Sequence, residues 1–377
     1  MTKSAGKPHV FHTLDILRGV AAVAVMAFHF GLSGSGLLGV SVFPHGYLAV
    51  DFFFVLSGFV LAFAYQDKLD LGWSSSSFFL VRVIRLYPLY FAGLVLGFAF
   101  SVLQSVFGRH QVSATTTFLT LVASLLMVPA FGLKQQTGEA TIYPYNKPAW
   151  SLFFEIMANV FHALLLRRRS WKFLAGTLCV TGAALIYSCL RYGSIGFGVN
   201  RSEFLYGFAR VLFSYTVGIS LLRVWKSGRG RMRVPPLVIA ILLLIALAVP
   251  VYPRFTALYD LAATFILFPI LVLAGAWSQP GPWFMRSCEW LGTASYAIYV
   301  LHVPIADFFA EAVRRISHRE PALFAPWTGI ACILLSIAAA LLLDKFYDGR
   351  ARTFLRKKLL RGNGAPARPT PNVKVIS

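Results

Sequence analysis

The chain of 377 residues is 57% hydrophobic and only 13% charged, with a mean hydropathy of +0.68. A water-soluble domain of that length needs a largely polar exterior, so the composition excludes one and points to a multi-pass membrane protein. The formal charge of +21 hints at a polyanionic partner, but basic residues in a membrane protein first set topology and meet anionic headgroups, so nucleic-acid binding is not expected.

Apolar runs, each long enough to cross about 30 Å of hydrocarbon, recur near residues 14–32, 46–65, 87–106, 149–166, 172–190, 204–222, 235–251, 256–276, 291–311 and 326–344. The predicted fold is all-α, a polytopic membrane helix bundle of about ten transmembrane helices. Residues 115–131 are also apolar. A full crossing there would send the basic cluster at 167–172 to the wrong side, so this stretch reads as re-entrant or interfacial. With the N-terminus inside, the inner segments hold 24 Lys and Arg against 9 in the outer ones, which predicts that both termini are cytoplasmic. The chain then divides into a cytoplasmic segment 1–13, a membrane-embedded domain 14–344 and a basic, disordered cytoplasmic tail 345–377, rich in Gly and Pro from Gly362 onward. The first thirteen residues lack the apolar core of a signal peptide. Cys179, Cys189, Cys288 and Cys332 show neither CxxC nor metal-type spacing, so small buried side chains and no metal site are expected.

Ionisable residues inside such spans are costly unless they line a cavity or find partners, so they mark candidate sites. In the first span, LDILRGVAAVAVMAFH, Arg18 and His29 are eleven residues apart, which puts them on one helix face about 16 Å from each other. Asp15 is three residues before Arg18 and can pair with it. Asp51 enters the second span, GYLAVDFFFVLSGFVLAFAY, in the same layer as His29, where contact would fix the imidazole tautomer and sharpen the ring as a base. Ser57 and Gly58 read as a place of close helix approach rather than a nucleophile elbow. Arg82 and Arg85, in FFLVRVIRLYPLYF, are one turn apart at the inner face and can converge on a phosphate, although ordinary positive-inside anchoring explains such a pair equally well. Glu155, a turn and a half below Trp150 in PAWSLFFEIMANVFHALL, is a lone carboxylate that needs a water-filled pocket or a partner; His162 reads as structural. In LGTASYAIYVLHVPIADFF, Ser295, Tyr299 and His302 share a face that suits a cavity wall or an interhelical ladder, and no catalytic role is assigned to His302.

These segments together resemble the acyltransferase 3 family of integral-membrane O-acyltransferases: Arg, ten residues, then His in LDILRGVAAVAVMAFH; then VDFFFVLSGFVL, RVIRLYP, PAWSLFFE and LGTASYAIYVLHVPI, in the family's order over residues 14–310. PAWSLFFE departs from the family pattern, which has a doubled acidic residue after WSL where only Glu155 stands here. The resemblance implies transfer of an acyl group, usually acetyl, from cytoplasmic acyl-CoA (acetyl-CoA) to a hydroxyl of a carbohydrate or glycolipid acceptor, such as an exopolysaccharide or O-antigen unit, at the far side of a bacterial inner membrane. It also implies that Arg18 and His29 belong to the active centre and that Arg82 and Arg85 serve the donor.

Acyl transfer to an alcohol needs a base for the hydroxyl proton and donors for the developing oxyanion. His29 fits the base, Asp51 or Glu155 its orienting carboxylate, and Arg18 a steadying charge for the donor. A covalent acyl-His29 intermediate stays open. The rival reading is a proton-coupled transporter or flippase for a sugar or lipid-linked glycan, with His29, Asp51 and Glu155 as a proton relay, although no related halves are evident. The acceptor, the oligomeric state and the choice between Asp51 and Glu155 are not fixed by the sequence.

Overall fold

The structure, a computed structural model, describes residues 10–31, 35–107, 113–131, 141–166 and 170–360. The helices among them are α1 (His12–Phe30), α2 (Ala49–Asp70), α3 (Ser75–Val106), α4 (Ala114–Leu125), α5 (Ala149–Phe161), α6 (Trp171–Tyr192), α7 (Phe204–Ser227), α8 (Pro236–Ala248), α9 (Thr256–Ala262), α10 (Phe268–Trp277), α11 (Pro282–Ser317), α12 (Trp327–Leu343) and α13 (Gly349–Leu359). A single Thr141–Asn200 bridge is the only extended pairing among the described residues. Three π-turns interrupt or extend helices, at His162–Leu166, Ala263–Leu267 and Asp344–Asp348.

Among the described residues, eight helices are long and apolar enough to cross a membrane, in keeping with the all-α bundle. The expected crossings near 149–166 and 235–251 also fall on apolar helices, α5 with its π-turn and α8, which are shorter. At 12 residues, α4 rises about 18 Å and cannot cross alone. Two boundaries differ from the sequence reading. The third span starts at Ser75 rather than near 87, with the Ser74 hydroxyl capping the helix by accepting from the Ser77 amide. Hydropathy stopped short because Arg82 and Arg85 interrupt the apolar run, yet in the fold both charges meet carboxylates, Glu155 and Asp348. The segment expected to be disordered from 345 is helical as far as Leu359, because α12 runs through its π-turn into α13 without a break. The tail from Gly362, the Arg167–Arg169 cluster and the side chain of Cys288 lie outside the described residues. Cys189 and Cys332 are buried and Cys179 is exposed, all as free thiols.

α1 runs through the middle of the bundle, packed along α11 and against α2 and α8. Leu17, Ala21, Ala22, Ala24, Val25 and Met26 have no exposed surface, because the alanine-rich stretch lets neighbouring backbones come close. α2 and α7 cross at two glycines. A Cβ on Gly58 would lie 2.0 Å from the Tyr215 carbonyl oxygen, and one on Gly218 2.2 Å from that of Val55. The α1–α11 packing decides the site, since it faces the Arg18–His29 stripe with the Ser295–Tyr299–His302 stripe.

Candidate active site

A cavity of about 150 Å³ opens between α1, α2, α3, α5 and α11. Its polar wall is made by Asp15, Arg18, Ser57, Arg82, Arg85, Ser151, Glu155, Ser295, Tyr296 and Tyr299, and the rest is apolar, mostly Phe, Leu and Val. Arg18 donates to Asp15 (2.9 Å), to the Ser295 hydroxyl (3.0 Å) and to the Gly292 carbonyl (2.8 Å). The expected Asp15 partnership is thus present, and α11 completes it. Gly292 is required here, because a Cβ would come within 2.8 Å of Asp15.

Across the cavity, Glu155 Oε1 accepts from Arg82 at 2.9 Å and from the Ser57 hydroxyl at 2.8 Å. Arg82 is almost wholly buried, and its Nε is a buried donor with no partner among the described residues. Arg85 donates to Asp348 Oδ2 at 3.3 Å, and its guanidinium lies over the Tyr296 ring at 5.6 Å. The two arginines expected at the inner face point into the protein, each matched by a carboxylate. With Arg18 they give one end of the cavity three guanidinium groups.

His29 does not line this cavity. Its partner is His302, whose Nε2 is 3.1 Å from His29 Nδ1. In the neutral form of the two rings, backbone geometry fixes the tautomer of each. A carbonyl oxygen only accepts, so His302 Nδ1, 3.1 Å from Ile298 O, carries hydrogen and its Nε2 holds a lone pair. His29 Nδ1, 2.8 Å from Val25 O, likewise carries hydrogen and shares it between that carbonyl and His302. The basic nitrogen of His29 is then Nε2, which has no partner among the described residues, and the ring is partly exposed. Tyr299 separates the cavity from the histidines. It lines the cavity, its hydroxyl is 2.7 Å from that of Ser151, Phe53 meets its ring edge-on at 5.7 Å, and the His302 ring is 6.1 Å away.

The carboxylates expected to orient His29 are engaged elsewhere. Glu155 is held by Arg82 and Ser57. Asp51 is gripped on both oxygens by Arg210, at 2.8 and 2.7 Å, and that guanidinium also donates to the carbonyls of Phe197 and Tyr47 and lies over Trp150. A buried carboxylate takes the nearest full charge over a neutral imidazole, because only the charge offsets its desolvation. Beside this pair Asp260, fully buried, accepts from the Tyr47 hydroxyl and the Ile195 amide, with His45 Nδ1 3.4 Å away. Together these groups tie the 45–48 and 195–199 loops to α2, α7 and α9. Sequence reading missed Arg210, Asp260 and Asp348. Arg210 and Asp260 are lone charges within apolar spans and could have been flagged on that ground; Asp348 was read as part of the tail and carried no such signal.

The family model for the acyltransferase domain of acyltransferase 3 proteins matches residues 11–344, nearly the whole chain. The chain belongs to the acyltransferase 3 family. It is accordingly a multi-pass membrane acyltransferase. Among its relatives, the acyltransferase MdmB of Streptomyces mycarofaciens is 28% identical over 321 residues, covering 78% of this chain and 79% of the relative. The exopolysaccharide production protein ExoZ of Rhizobium meliloti is 27% identical over 320 residues, 82% of this chain and 92% of that one. The peptidoglycan O-acetyltransferase OatA of Listeria monocytogenes is 24% identical over 323 residues, which is 78% of this chain but 49% of the longer relative. No solved structure matches closely enough to count as a relative. The family match ends four residues before Asp348.

Proposed function

We propose that this acyltransferase moves an acyl group, acetyl by the names of its relatives, from cytoplasmic acyl-CoA to a hydroxyl of a carbohydrate or glycolipid at the outer side of a bacterial inner membrane, with both termini in the cytoplasm. The observation that carries this reading is the separation of two chemistries along one bundle. Three arginines gather at one end of a cavity, and a histidine whose basic nitrogen has no partner among the described residues lies beyond its Tyr299 end.

In this reading Arg82 and Arg85 take the phosphates of CoA by charged hydrogen bonds, with Arg18 beside them. The pantetheine arm follows the apolar wall toward Tyr299. His29 Nε2 removes the proton of the acceptor hydroxyl as the oxygen attacks the thioester carbonyl. The tetrahedral intermediate then expels CoA as thiolate, and the proton held by His29 passes to that sulfur, leaving an O-acyl ester and free CoA. The hydroxyls of Tyr299 and Ser151, which contact each other and donate to the Pro148 carbonyl, are the O–H groups at this end of the cavity that turn to the oxyanion as it forms. His302 holds the His29 ring in the required tautomer, the task first given to Asp51 or Glu155.

The test is transfer by purified protein in lipid nanodiscs from labelled acetyl-CoA to a membrane glycan extract, followed by mass spectrometry of the product. The expected result is an alkali-labile acetyl ester that His29→Ala abolishes. A folded His29→Ala variant with full activity refutes the role given to this ring, and transport of an unmodified glycan without ester formation refutes the reading as a whole.

A further inference from the structure

We propose that Asp348 is a positioning residue for donor binding: from the start of the C-terminal helix it holds the Arg85 guanidinium in the orientation that receives a phosphate group. This rests on the acyl-CoA reading of the cavity. Asp348 stands beyond the family match, in a region the sequence presents as a basic tail, yet its side chain is completely buried. It closes the Asp344–Asp348 π-turn between α12 and α13. A π-turn adds a residue to the helical turn and so changes which side chains face the bundle, a device that recurs at functional sites. Here it turns one carboxylate inward toward Arg85 and Arg352, while Phe346, Arg350, Arg356, Lys357 and Lys358 face outward.

The carboxylate is placed by arginines. Oδ2 accepts from Arg85 and pairs with Arg352, and Oδ1 is buried without a partner among the described residues. On its other side Arg85 meets the face of Tyr296, itself fixed by donation from its hydroxyl to the Leu86 carbonyl at 2.6 Å. A guanidinium gripped between a carboxylate and an aromatic ring loses little freedom when an anion arrives, and such pre-organisation is what a phosphate-binding arginine gains from its supports.

The sign of the effect separates this role from simple charge balance. If Asp348 only neutralised the arginines, Asp348→Asn would leave a more positive cavity and tighter binding of a polyanion. As a positioning residue, its loss weakens binding of donors that carry phosphates and spares those that do not. The experiment compares kcat/KM for acetyl-CoA and for acetylpantetheine, which has the same thioester and arm without phosphates, using the full chain in nanodiscs. Asp348→Asn is expected to lower the acetyl-CoA to acetylpantetheine ratio about tenfold, and Asp348→Glu to recover most of it, as for other groups that orient a binding residue from behind. A ratio that is unchanged or raised overturns the proposal. Should Asp348→Asn fail to fold, Arg352→Gln disturbs the same carboxylate from its partly exposed side. It is expected to lower the ratio by about threefold, and no change overturns the proposal equally. A wild-type protein that does not prefer acetyl-CoA over acetylpantetheine overturns the donor reading itself, an outcome distinct from failure of the Asp348 variants alone.

Discussion

His302 Nε2 accepts from His29 Nδ1 across the α1–α11 packing, at 3.1 Å. Because each ring also donates to the carbonyl four residues back in its own helix, two backbone acceptors and one interhelical contact decide that His29 presents Nε2 as its base. Removal of that base is expected to lower kcat by about 10²–10⁴-fold. His302→Ala leaves the base but frees its ring, with an expected loss of about tenfold. Steady-state kinetics on the two variants check the order, and a larger loss for His302→Ala than for His29→Ala would reverse the roles.

Arg82 and Glu155 form a pair across the cavity, with Arg82 Nε left over. Arg82→Ala is expected to weaken CoA binding by about 10- to 150-fold, a charged hydrogen bond being worth about 1.5–3 kcal/mol. Lys at this position should recover little, since a point charge cannot replace the fork. Titration calorimetry with CoA at two salt concentrations measures this, and affinity that ignores both the substitution and the salt would remove the phosphate role.

Tyr299 stands between the cavity and the histidines, with its hydroxyl against Ser151. Tyr299→Ala is expected to open that wall, so that water reaches the thioester: hydrolysis of acetyl-CoA without acceptor should rise while transfer falls. Release of CoA thiol with and without acceptor separates the two reactions. An unchanged ratio of hydrolysis to transfer would show that Tyr299 is not the barrier.

Arg210 and Asp51 form a fully buried pair that is not part of the cavity wall. Loss of either partner strands a charge, so Arg210→Ala is expected to destabilise the protein by about 3–5 kcal/mol, with the Asp51→Ala/Arg210→Ala double variant losing less than the sum. Thermal unfolding in detergent, with the double-mutant cycle, checks this. Gly218→Ala, which pushes a methyl group against the Val55 carbonyl, should cost about 1–3 kcal/mol by the same measurement.

What the sequence determined by itself is what depends on distance along the chain. The lengths of apolar runs specified an all-α membrane bundle, and helical periodicity placed Arg18 with His29, and Ser295 with Tyr299 and His302, on single faces. Asp15 as a local partner for Arg18 was legible for the same reason, being one turn away. The tertiary structure decided everything that depends on which helices meet. Asp51 and His29 look like neighbours when only the first two spans are weighed, but α7 brings Arg210 to Asp51, and a full charge outcompetes an imidazole for a buried carboxylate. His302 becomes the partner of His29 because α11 is 273 positions away in sequence and adjacent in space. Asp348, hidden in what reads as a basic tail, is buried because a π-turn rotates one side chain out of the pattern of its neighbours. Local periodicity carries no information about that rotation, since the turned carboxylate finds its partners in two arginines, one on α3 and one on α13.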